Sequence, residues 1–114
     1  MPPLDPEELK LIEGIAQRLG GDAGEKLRAD VANAVADRAA GPAVVRFTIL
    51  GYDRPAYEGQ HSCPVEAIVS DHQGEDIWIT LFMDGNDRML ELFFDSVSKW
   101  RTYDDIDWQT LRFV

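Results

Sequence analysis

A chain of 114 residues suits one domain built around one modest core. Hydrophobic residues make up 45% and charged residues 28%, which are globular rather than disordered proportions. Lys and Arg number 11 against 21 Asp and Glu, and the resulting net charge of -10 repels nucleic-acid phosphate and anionic membrane, so neither is expected as a direct ligand.

The first helix is announced by its start signals. Asp5 suits the N-cap, Pro6 the first helical position, and Glu8 completes a capping box, with Leu4 and Leu9 at the positions of a hydrophobic staple. Ile12, Ile15, Ala16 and Leu19 recur at helical spacing until Gly20-Gly21 ends the run. Asp22 with Glu25 reads as a second capping box, followed by an apolar stripe of Leu27, Val31, Ala34 and Val35 that Gly41-Pro42 stops. The connection is very short, so the two helices of residues 1–41 should pack antiparallel or steeply crossed. Such a pair buries little area and needs a further layer.

That layer begins near Ala43. Val44 to Leu50 is rich in β-branched residues, with Val45, Phe47 and Ile49 on one face. Residues 51–61 form a polar connection carrying Tyr52 and Tyr57. A second strand is expected from about Ser62 to Ser70, with Cys63, Val65, Ala67 and Val69 together, before a turn at residues 72–75. Ile77, Ile79, Leu81 and Met83 give the next strand its inward face and leave Trp78, Thr80 and Phe82 opposite. Asp84-Gly85-Asn86-Asp87 reads as a hairpin loop into a strand from Met89 to Asp95, with Leu90, Leu92 and Phe94 on one side. Ile106, Trp108, Leu111 and Phe113 are apolar enough to dock, through a short last strand at Thr110 to Val114. The pattern predicts an α+β fold, two N-terminal helices packed on a four- to five-stranded antiparallel β-meander, as a single domain over 1–114 with the sheet and C-terminal segment in 43–114.

Groups able to do chemistry are few. His61 and Cys63 share a strand face, but Glu66, the nearest orienting acid, falls on the other. Cys63 also continues the apolar alternation into Val65 and Ala67, as a buried structural cysteine does. No catalytic residue is assigned, and the chain is not expected to be an enzyme. His61, Cys63 and His72 lack zinc spacing, the loop from Asp84 to Asp87 lacks the later ligands of a calcium loop, and no phosphate cradle is present, so neither metal nor cofactor is expected. A single cysteine favours a reducing compartment, and Met1 to Asp5 lack the basic and apolar run of a signal peptide, which makes the cytoplasm the expected location.

What remains is an aromatic and acidic constellation near the C-terminus. Asp95, Trp100, Tyr103, Asp104, Asp105 and Asp107 combine the ring types that anchor interfaces with carboxylates able to pair with Lys and Arg. They are the candidate contact residues for a basic protein partner. The loop from Tyr52 to Tyr57 joins that surface if it lies on the same edge. The competing reading is structural: Trp100 and Trp108 close one end of the core and the aspartates are merely solvated.

The stretches Leu4-Asp5-Pro6-Glu7-Glu8-Leu9, Pro64-Val65-Glu66-Ala67, and Gly85 to Leu92 with its ending Met89-Leu90-Glu91-Leu92, resemble small bacterial domains with two N-terminal helices and a β-meander. The likeness covers most of residues 4 to 97 and brings no catalytic residues with it. In length, acidity and lack of reactive groups the chain is similar to bacterial immunity proteins, which neutralise polymorphic or contact-dependent toxins by tight binding. That likeness of class implies a cytoplasmic protein blocking a basic toxin such as a nuclease. The alternative is a homodimer or accessory scaffold in which Trp78, Phe82 and Phe93 bury a sheet face against a second copy.

Overall fold

The structure, a computed structural model, describes residues 2–39, 41, 43–56, 58–96 and 103–114. Helix α1 (Pro6–Leu19) starts as its sequence dictates, with the Glu8 carboxylate accepting the Asp5 N–H at 2.8 Å. Leu11, Ile12, Ile15 and Ala16 form its wholly buried face. The second helix, α2 (Gly21–Ala32), follows with no loop at all. Gly20, in the left-handed region at φ 64°, closes one helix and opens the next: its N–H reaches the Ala16 carbonyl and its own carbonyl accepts the Gly24 N–H, both at 3.0 Å. Asp22 therefore lies inside the first turn, and the expected capping box with Glu25 does not form because glycine has taken the cap.

The second helix also ends earlier than its alanine-rich sequence suggests. Asn33 closes it, and residues 34–37 become strand β1 (Ala34–Asp37), antiparallel to β2 (Val44–Ile49). The edge of β2 would otherwise present unpaired amides, and satisfying that ladder outweighs a modest helix preference. The N-terminal segment covers β1 in turn, with the Ala36 N–H on the Pro2 carbonyl at 2.8 Å.

The remaining strands are β3 (His61–Ser62), β4 (Ala67–Asp71), β5 (Asp76–Met83), β6 (Met89–Ser96) and β7 (Ile106–Phe113). Their order is β1-β2-β6-β5-β4-β7, with β3 also on β5 and every pairing antiparallel. The α+β class with helices on an antiparallel sheet stands, with seven strands in place of four or five. One of the additions is β1; another arises because the expected strand 62–70 splits into β3 and β4. Pro64 has no N–H to give the ladder, although Cys63 still donates to the Leu81 carbonyl at 2.8 Å. The last strand begins at Ile106 rather than Thr110. A bulge absorbs the extra residues, and there the Thr110 hydroxyl accepts the Ser70 N–H at 2.7 Å and donates to the Asp107 carbonyl at 2.6 Å.

The helices cover one face of the sheet. Val45, Phe47, Ile49, Val69, Ile77, Ile79, Leu81 and Leu92 point into that layer and are buried with Leu11, Ile15 and Leu27. Among the described residues no helix is long and apolar enough to cross a membrane.

Candidate binding surface

Strand alternation sends the intervening side chains to the opposite, outer face. The register aligns them in rows across the sheet. Arg112, Ile68, Trp78 and Asp95 make one row, Thr80, Phe93 and Val44 the next, and Phe82, Glu91 and Arg46 a third. Trp78 is 43% exposed and Phe93 38%, in neighbouring rows on the two central strands, so two aromatic rings meet solvent side by side. Among the described residues, the two arginines of this face are already engaged. Arg46 pairs with Glu91 at 3.2 Å and Arg112 with Asp76 at 2.9 Å. Around Trp78 lies an open hollow of about 480 Å³ lined by Glu75, Asp76, Asp95 and Ser96.

Four of the residues expected to contact a partner fall at this end of the sheet. Asp95 is exposed on β6 directly across from Trp78. Asp107, the second residue of β7, lies opposite Ser70, in line with Asp76. Three strand spacings across and two residues along the strands separate the two aspartates, about 16 Å in all. Asp104 is exposed and Asp105 half-buried in the turn of 3-10 helix Tyr103–Asp105 that leads into β7, where the Asp105 carbonyl accepts the His72 N–H at 3.1 Å. Asp107 is partly spent on its own strand, accepting the Gln109 N–H at 3.2 Å. Tyr103 contributes the backbone of the turn, and Trp100 lies outside the described residues. Trp108 turns inward and meets the Phe94 ring edge-on at 6.3 Å, so it does close the core as the structural reading required. The aromatic seen beside the acids is Trp78. Counting outward from the Asp84 to Arg88 turn would pair it with Phe94; a bulge between Phe82 and Met83 shifts the register by one and brings Asp95 opposite instead, which the sequence does not signal. No protein family model, curated protein or solved structure matches the chain.

The loop carrying Tyr52 is at the other end of the same strands and joins a different structure. Asp84, only 1% exposed, accepts the Tyr52 hydroxyl at 2.6 Å, Arg54 at 2.9 Å, and the Asn86 and Arg88 amides at 2.8 and 3.0 Å. Burial alone would raise its pKa, but the hydrogen bonds from Tyr52 and the two amides, with the charge of Arg54, hold it below the ordinary carboxylate value. Arg54 also donates to the carbonyls of Phe47 and Met89 at 3.0 and 2.9 Å. Arg88 lies 4.2 Å above the Tyr52 ring and reaches Asp30 of α2 at 2.7 Å. This network fastens α2, the Tyr52 loop and the β5–β6 turn together. Nothing in the linear sequence marked it.

His61 and Cys63 both line a groove of about 390 Å³ with Leu19, Lys26, Met83 and Asp87. The imidazole Nε2 stands 2.8 Å from Asp87 and Nδ1 stands 3.0 Å from the Gly59 carbonyl, so neither nitrogen is turned to the thiol. Cys63 is 3% exposed, and burial pushes its thiol pKa up against a smaller opposing effect of the Val65 backbone. A nucleophilic cysteine needs a base at its sulfur and a stabilised thiolate; this arrangement provides neither. Among the described residues no three His, Cys, Asp or Glu side chains gather as a metal-binding group.

Proposed function

We propose that this chain is a protein-binding domain whose working surface is the uncovered sheet face, and that its partner is a basic protein. The observation that carries the reading is the pair of exposed rings, Trp78 and Phe93, set among Asp76, Asp95 and Glu91 at the middle of a regular sheet. Exposed aromatics on a rigid element supply desolvated contact area, while carboxylates steer a positive surface and fix its register. The most specific form of the proposal is a cytoplasmic immunity protein occupying the phosphate-binding surface of a nuclease toxin. The net charge of -10 supports it, since such a toxin must itself be positive where it meets nucleic acid.

The test purifies as candidate toxin a basic nuclease domain encoded next to this gene, and a neighbourhood that encodes none counts against the toxin reading. Stoichiometric addition of the purified chain should abolish the toxin's nuclease activity, and the double variant Trp78→Ala, Asp95→Lys should lose that inhibition by at least about 100-fold. Full inhibition by the double variant removes this face from consideration, and failure of the native chain to inhibit removes the toxin reading. A second reading is favoured by the placement of Trp78, Phe82 and Phe93 on one face: the same surface pairs with a second copy. Self-association driven by those rings against like charge would strengthen as salt rises, whereas a basic partner binds best at low salt.

A further inference from the structure

We infer that the hollow at Trp78 is an arginine subsite, in which a guanidinium of the partner stacks on the indole and pairs with Asp95. This rests on the outer-face reading above and names the side chain that face selects. Trp78 is 43% exposed with Asp95 as its direct cross-strand neighbour, which places their Cβ atoms about 5 Å apart. A cation lying on the ring is then within reach of the carboxylate. Asp76 on the same rim is occupied by Arg112 and the Ser70 hydroxyl, but Asp95 makes no hydrogen bond or ion pair among the described residues.

Two partly buried arginines show what this fold places between a ring and a carboxylate. Arg88 lies 4.2 Å over Tyr52 with Asp30 at its guanidinium, and Arg54 lies 5.6 Å from the same ring while pairing with Asp84. Arg18 covers Phe113 at 4.1 Å. Each cation on a ring among the described residues is an arginine. The physical reason applies equally outside. A planar, weakly hydrated guanidinium lies flat on an aromatic face and still offers its edge to a carboxylate, whereas an ammonium is a compact, strongly hydrated charge that must shed water to touch the ring. A second copy of this chain fits the hollow poorly, because it would set Glu75, Asp76 and Asp95 against its own like charges.

Two probe peptides of equal charge decide the matter: acetyl-(Gly-Arg)4-amide and acetyl-(Gly-Lys)4-amide, titrated into nitrogen-15-labelled protein at physiological salt. The arginine peptide should move the Trp78 indole N–H resonance and bind about two- to five-fold tighter than the lysine peptide. Trp78→Leu should erase that preference, and Asp95→Asn should weaken the arginine peptide several-fold while leaving a dispersed, native spectrum. Equal affinity of the two peptides on outer-face resonances overturns the arginine subsite and leaves a basic partner standing. If neither peptide moves any outer-face resonance, the arginine subsite and the basic-partner reading fall together.

Discussion

Asp84→Ala tests how the molecule is fastened. The substitution deletes the common acceptor of Tyr52, Arg54 and two backbone amides at a site that is 1% exposed. Removing one member of a buried ion pair costs about 3–5 kcal/mol, since the remaining charge is stranded. The Arg54 side chain is 25% exposed and can recover some hydration, so the lower figure of about 3 kcal/mol is expected. A domain of this size has a total stability of roughly 6–17 kcal/mol, so the variant should fold but unfold early. Urea titration followed by tryptophan fluorescence at pH 7 should show the midpoint falling by roughly 1–3 M with an unchanged slope. The pH dependence has a fixed sign. Because the folded Asp84 carboxyl is held below its ordinary value, its contribution is complete above the unfolded-chain value of about 4 and is lost as pH falls through the folded value. The gap between native protein and variant should therefore narrow below about pH 4. A loss under about 1 kcal/mol at pH 7, or a gap that widens on acidification, refutes the account of Asp84 as a charged anchor.

Gly24→Ala should destabilise despite its better helix propensity: a methyl group there would lie 2.5 Å from the Ala16 carbonyl oxygen, and forcing the helices apart costs about 1–3 kcal/mol against about 1 kcal/mol gained. A raised melting temperature in that variant would show that the helices can separate freely. The Cys63 thiol should react with a disulfide reagent at pH 8 only in urea, because it is 3% exposed and its ionisation is opposed by burial. Rapid labelling of the native protein would contradict its burial.

Alternation was legible wherever one face of a strand is buried, because a slip of one residue would send the whole apolar set to water. Val45, Phe47 and Ile49, and Ile77, Ile79, Leu81 and Met83, lie inward for that reason. The end of α2 was not legible. Leu27, Val31, Ala34 and Val35 fit a helical stripe, and only the distant edge of β2 decides that Ala34 and Val35 extend instead. The split at Pro64 could have been read from its missing N–H. Of the candidate surface, the acids Asp95 and Asp107 were identified by composition and their common end of the sheet by structure alone, because β4 and β5 lie between them. The Asp84 network was invisible to local pattern: Tyr52 and Arg54 stand 32 and 30 residues from Asp84, and Arg88 stands 58 from Asp30.

Those buried pairs also bear on how the charge of the chain reaches a partner. Glu8, Asp30 and Asp84 are the buried acids held by arginines, Arg38, Arg88 and Arg54 respectively. Each pair takes one charge of either sign out of the exterior, so the net of -10 is left on a surface with proportionally fewer cations than the composition implies. On the outer sheet face Arg46 and Arg112 are further neutralised by Glu91 and Asp76. Arg38, Arg54 and Arg88 therefore act as fasteners, and among the described residues Asp95 has no ion pair beside the exposed indole. A positive protein surface approaching this face meets a field that salt bridges elsewhere do not cancel. On the proposed reading, an arginine of the partner would meet at Trp78 and Asp95 the same kind of ring-and-carboxylate arrangement that Tyr52 and Asp30 offer Arg88.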